Sequence, residues 1–185
     1  MKTIFTTHNT NIEIKKSNFI SYICPFEDFK DLLQKLKKEH VKAVHFVYAY
    51  RYLNEFNQII EDKSDDGEPK GTSGLPSLNV LRGNDLINIA VIIVRYFGGI
   101  KLGTGGLARA YSQSVNEVIK IANLQNYEQK EEKIIQIEFN LLSKLEHFLN
   151  KNDINFSKEF GESVKLKINL NKEEKEKIEN FLKNM

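Results

Sequence analysis

Two stretches of the chain concentrate residues able to do chemistry. From Arg95 to Arg109 the sequence reads RYFGGIKLGTGGLAR, and Gly98, Gly99, Gly103, Gly105 and Gly106 are half of the ten glycines present. Such crowding calls for positive φ or for close approach of another group to the backbone. Thr104 is the expected N-cap of a helix whose first turn holds Gly105 and Gly106, leaving backbone N–H groups without intrahelical partners and without Cβ atoms to shield them. With Arg95, Lys101 and Arg109 around it, that helix start suits a phosphate or a carboxylate. The same glycines serve equally well to let a helix and a strand pack closely.

The second stretch is Ser64 to Pro76, SDDGEPKGTSGLP. Asp65, Asp66 and Glu68 supply carboxylates, and Lys70, Thr72 and Ser73 supply donors. Magnesium facing a phosphate loop is one use of such a set. The other is turn chemistry, in which Asp side chains accept backbone N–H bonds while Gly67, Gly71 and Gly74 supply positive φ. Ahead of it, the strand from Val41 to Arg51 has a bulky face (Val44, Phe46, Tyr48, Tyr50) and a small-residue face (Ala43, His45, Val47, Ala49). His45 on the small face has room for something to lie against it. No second histidine stands at metal-ligand spacing, so neither a metal site nor a cofactor is expected. The chain has no GxxxxGK[ST] run. Gly103-x-Gly105-x-x-Ala108 lies too far beyond its strand, with no acidic second strand after it, to serve as a dinucleotide fingerprint.

These residues need a framework. Ile89 to Val94 is wholly apolar and reads as a strand covered on both faces. After the glycines, Leu107, Tyr111, Val115, Val118 and Ala122 form one helical stripe, with Arg109, Gln113, Asn116 and Lys120 on another face. Upstream, residues 3–14 read as two short strands, Lys16 to Cys24 leads through a third, and Phe26 to Lys38 has the stripe of a helix. Pro76 opens a short helix closed by Gly83. Gln125 to Glu132 lacks an apolar pattern and reads as a linker. Beyond it come a strand with Ile135, Ile137 and Phe139 on one face, a helix, strands Ile154 to Phe160 and Val164 to Leu170 about Gly161, and a helix begun by Asn171 and Glu174. The order β-α-β-β-α suits a small ferredoxin-like unit. The expected organisation is therefore an α+β domain over residues 1–125, a linker over 126–132 and a ferredoxin-like domain over 133–185.

Composition bounds the function. A chain of 185 residues with 41% hydrophobic and 28% charged side chains is that of a globular protein. Its net charge of +2 excludes a global field for nucleic acid, so any such binding needs a local patch. Cys24 is the single cysteine, which rules out an internal disulfide, and its apolar surroundings mark a buried, inert thiol. No stretch approaches a membrane span, and a cytoplasmic location is expected.

The segments AVHFVYAYR (Ala43 to Arg51), DDGEPKGTSGLP (Asp65 to Pro76) and VRYFGGIKLGTGGLARAY (Val94 to Tyr111) together closely resemble the IMPACT family, in particular its bacterial YigZ-like members. The resemblance is strongest from Ser17 to Leu124. It implies an N-terminal domain with the topology of the second domain of ribosomal protein S5 and a C-terminal domain like the last domain of elongation factor G. Eukaryotic relatives are linked to translational control, which they exert largely through an additional N-terminal module not expected here.

Three function classes follow. The first is a non-enzymatic, translation-associated protein binding RNA or the ribosome, with Arg95, Lys101, Thr104, Gly105, Gly106, Arg109 and Lys70 taking phosphate and Tyr96 or Phe97 stacking on a base. His45, Asp65, Asp66 and Glu68 would then form the second wall of the cleft. The second is a magnesium-dependent enzyme or binding protein for a phosphorylated small molecule, using those carboxylates. The third is a protein-interaction module on the aromatic face of the strand from Ala43 to Arg51. The composition favours no particular oligomeric state.

Overall fold

The computed structural model describes residues 1–184 and divides the chain into two compact units, Met1–Tyr127 and Glu128–Met185. The α+β class expected from the sequence is the one observed. In the first unit, strands β2 (His8–Ile14), β3 (Ser17–Pro25), β4 (His45–Leu53), β5 (Ile59–Ser64) and β6 (Ile89–Tyr96) form one antiparallel sheet in the order β2-β3-β6-β4-β5. The apolar run takes the centre because only there are both faces of a strand removed from water. Ile89, Val91 and Ile93 pack with α2 (Gly74–Gly83) and α3 (Thr104–Ile121), while Ala90, Ile92 and Val94 pack with α1 (Phe29–Glu39) on the opposite face.

Alternation in β6 continues past the apolar run, and this positions the site. Arg95 has the parity of Ile93 and so turns toward α3. Directly across from it stand Phe19 on β3 and His45 on β4, making a lateral row on one face. On α3, the stripe Leu107, Tyr111, Val115 and Val118 is buried against that face. Ser114, on the same side, hydrogen-bonds Ser21 of β3. Cys24 is buried on the α1 face, where desolvation and then the nearby Asp28 charge push its thiol up to about 12.

Several boundaries differ from the sequence expectation. Residues 41–44 form a turn in which the Ala43 amide donates to the His40 carbonyl at 2.9 Å, so β4 starts at His45. The first strand, β1 (Lys2–Thr3), pairs with β7 (Gln125–Asn126) rather than with β2. Of the expected linker, Asn126 is therefore paired, and Glu131 and Glu132 already open β8 (Glu131–Ile137) because their backbones pair with Leu170 and Asn169. Helix α2 begins at Gly74, which places Pro76 inside its first turn.

The second unit comprises β8, α4 (Phe139–Lys151), β9 (Phe156–Phe160), β10 (Val164–Leu170) and α5 (Lys172–Lys183), with antiparallel strand order β8-β10-β9. This is the ferredoxin-like arrangement through its second helix. Ile135, Ile137, Val164, Leu166 and Ile168 share a core with Leu145, Leu149 and Ile178 of the helices. Asn171 and Glu174 close a reciprocal capping box at 2.8 Å in each direction. Phe139 starts α4 instead of extending the strand face and is exposed. Among the described residues, no helix is long and apolar enough to cross a membrane.

Two glycines are required by space: Gly74 opens α2 without the expected positive φ, and a Cβ there would lie 2.8 Å from the Ser64 carbonyl oxygen, while Gly98 is tighter still. The Gly98 amide donates to Ser17 Oγ at 3.1 Å, and a Cβ built at Gly98 would collide with the backbone of Lys16. Gly98→Ala should lower the unfolding free energy by about 1–3 kcal/mol, the usual cost of overpacking. Gly83→Ala, where a Cβ meets nothing within 4 Å, should change it by less than about 0.5 kcal/mol. Urea denaturation reads both, and equal effects would show that Gly98 is not held by its neighbour.

Candidate functional site

The row Phe19, Arg95, His45 forms the floor of the site, and the loop after β5 closes over it. Glu68 reaches down from that loop and is buried against Arg95, whose Nη1 donates to Glu68 Oε1. The same oxygen accepts a 2.8 Å hydrogen bond from the Tyr111 hydroxyl of α3. Burial, and then the negative charge of Glu68, push the Tyr111 phenol well above its usual value, so it stays protonated and donates. The Arg95 guanidinium lies 5.3 Å from the centre of the Phe19 ring and 5.7 Å from that of Phe97. Its Nε is buried and, among the described residues, has no hydrogen-bond partner.

The loop owes its shape to Asp65. Its Oδ1 accepts from the amides of Ser73 and Gly74 and from the Ser73 hydroxyl, and its Oδ2 accepts from the Gly71 amide. Burial alone would raise this carboxyl, but those donors together outweigh it and hold Asp65 below the usual range. Asp66 ties the loop to the sheet. Its Oδ2 accepts from the Phe46 amide at 2.6 Å, and its carbonyl accepts from His45 Nδ1 at 2.7 Å. A carbonyl can only accept, so Nδ1 carries the proton and Nε2 faces Glu68 Oε1 at 3.7 Å.

Above this floor is a groove of about 460 Å³. Val44, Pro69 and Phe97 provide apolar walls, and Lys101 and the start of α3 close one end. The cap of α3 is Gly103, not the expected Thr104. Its φ of 70° is open to glycine, and no side chain caps the helix, which leaves Thr104 as the first helical residue. Gly105 and Gly106 follow in the first turn, as the spacing suggested. Arg109 folds back toward that turn, since a Cβ at Gly105 would sit 3.6 Å from its Nη1.

The structure thus gathers His45, Glu68, Arg95, Lys101 and Thr104 around one groove. Lys70, Asp65, Asp66, Gly105, Gly106 and Arg109 do not line it, and Lys70, Gly105 and Arg109 are exposed. Arg95 is not a free cation for phosphate, because Glu68 already takes its charge in the interior. Nor do the three carboxylates converge: Asp65 serves the loop, Asp66 the Phe46 amide, and Glu68 the Arg95–Tyr111 pair. Tyr111 was legible only as a core position. Its signal was a phenol on a buried helical stripe, which must find a polar partner. The Tyr96 hydroxyl is hydrogen-bonded with His40 Nδ1 at 2.9 Å, leaving Phe97 as the groove's aromatic.

Family comparisons agree with these two units. Residues 15–119 match the model of the Impact N-terminal domain, and residues 135–185 match a domain of unknown function, DUF1949. The IMPACT family member YigZ of Escherichia coli is 36% identical over 144 residues, 76% of this chain and 71% of that protein. YvyE of Bacillus subtilis is 46% identical over 109 residues, covering 57% of this chain and 49% of its own length. A Haemophilus influenzae member is 44% identical over 59% of this chain and 54% of its own. The chain thus spans about half the length of the latter two relatives. A solved structure described as a hypothetical protein superposes with a TM-score of 0.69 at 32% identity, over 91% of this chain and 84% of that one.

The Asp65 hydrogen bonds make stability depend on acid. A depressed folded-state pKa means the stabilisation is complete above the unfolded carboxyl range and is lost as pH falls through the folded value. Asp65→Asn should cost about 1.5–3 kcal/mol at neutral pH, the range for hydrogen bonds to a charged group. The gap to the wild type should close below about pH 4. Denaturation curves across pH check this, and a gap independent of pH would contradict it.

Proposed function

As the chain belongs to the IMPACT family, we propose that it is a translation-associated regulatory protein whose groove beside α3 binds single-stranded RNA in the cytoplasm. The translational setting rests on what the family resemblance implies; the mode of binding rests on the site. The carrying observation is that a half-exposed aromatic, Phe97, and an exposed cation, Lys101, line the same groove as the uncapped start of α3. A base has a flat apolar partner there, and a phosphate has both a cation and free amides beside it.

The positive charge for phosphate comes from Lys101 and Arg109, both exposed, while Arg95 keeps a neutralised pair beneath the groove. With a net charge of only +2, the affinity is expected to be modest and strongly salt-dependent. The magnesium-dependent reading would need carboxylates free to turn toward one point, and Asp65, Asp66 and Glu68 are each held elsewhere.

Titration of the whole protein with short single-stranded RNA over a salt series tests this. Lys101→Ala with Arg109→Ala should reduce affinity at low salt and flatten the log–log salt slope by roughly 0.7 for each phosphate that is no longer neutralised. Phe97→Ala should weaken binding by about 1–3 kcal/mol without changing that slope. Absence of binding at low salt, or affinity untouched by all three substitutions, would overturn the proposal.

A further inference from the structure

Beneath Phe97 the groove floor holds two unfinished polar groups of opposite kind. Glu68 Oε1 is used by Arg95 and Tyr111, but Oε2 accepts no hydrogen bond from the described residues. On the guanidinium paired with that carboxylate, Arg95 Nε is a buried donor that finds no acceptor among the described residues. An occupant of this floor must therefore offer donors to a carboxylate oxygen and an acceptor to a guanidinium, on one edge. It must also be flat, to lie against Phe97 between Val44 and Pro69.

Building on the proposed RNA binding, we infer that the groove selects guanine. The Watson–Crick edge of guanine carries adjacent N1–H and N2–H donors, which Glu68 Oε2 can take together as a forked acceptor, and an O6 acceptor beside them for Arg95. Adenine would turn its N1 lone pair toward the carboxylate, and uracil offers a single donor. The guanidinium lies under the Phe97 ring, so the ring must yield as the base enters. Phe97 adjoins Gly98 and Gly99, the latter at a φ of 85°, in the strap between β6 and α3. It can then stack on the base it admits. The phosphate on the same nucleotide falls to Lys101 and the amides of Gly105 and Gly106.

The test uses the full chain and oligouridine strands that carry one central guanosine, adenosine, inosine or 1-methylguanosine. Guanosine should bind about tenfold or more tightly than adenosine, the discrimination a good bidentate base contact provides. Inosine, which lacks the N2 amine, should fall between them, and 1-methylguanosine should lose the preference. Glu68→Gln should bring guanosine and adenosine together, whatever the Arg95 charge it uncovers adds to the affinity for both. If that variant does not fold, the four-base series on the wild-type protein decides alone. Equal, salt-sensitive binding of all four strands would overturn guanine selection and leave RNA binding standing. No binding of any strand at low salt would overturn both.

Discussion

The first unit depends on a buried ion pair. Glu68 and Arg95 are both nearly inaccessible to water, and removing two charges from solvent costs several kcal/mol per ion unless their remaining hydrogen-bonding capacity is met. Tyr111 supplies part of that capacity to Glu68, and the rings of Phe19 and Phe97 cover the guanidinium. The pair joins the loop after β5 to the central strand, and Tyr111 brings in α3. Three segments far apart in the chain thereby meet at one carboxylate oxygen.

Around this point the molecule divides its labour by strand parity. The α1 face of the sheet is closed by aromatic and aliphatic packing, including Phe29 against Tyr48 and Tyr50. The opposite face is core near α2, where Leu78 and Leu81 pack, holds the buried Arg51 at its far edge, where its guanidinium donates to the Leu86 carbonyl, and turns polar again at the end of β6 with Arg95 and His45. The groove lies where that core runs out. Loop and strap frame it differently: Asp65 binds the loop into a rigid hydrogen-bonded shape, whereas the strap through Gly98 and Gly99 is pinned at Ser17 and leaves Phe97 half exposed.

Charge is partitioned in the same way. Arg95 is consumed in the interior, so its contribution is to shape and hold the floor. Lys101 and Arg109 remain at the surface, where ionic strength screens them and where a phosphate can reach them. A local cationic edge over a neutral floor reconciles a nearly neutral protein with the nucleic-acid binding proposed for it.

Much of this could be read along the chain because its causes are local. The apolar run of β6 and the stripe of α3 are periodicities of neighbouring residues, and the affinity of Asp65 for the amides around Gly71 and Gly74 is turn chemistry within one loop. The capping box at Asn171 and Glu174 is of the same kind. Other features arise only in three dimensions. The Gly103 cap depends on the path of the strap, and the late start of β4 depends on its register against Arg95. That Arg95 meets Glu68 instead of phosphate depends on which face the loop crosses. Sequence by itself determined the elements and the residue types available to the site, since both follow from short-range pattern. Tertiary structure decided which charges are spent inside and which stay free, because pairing between distant residues is set by strand register and burial, neither of which is encoded at a single position.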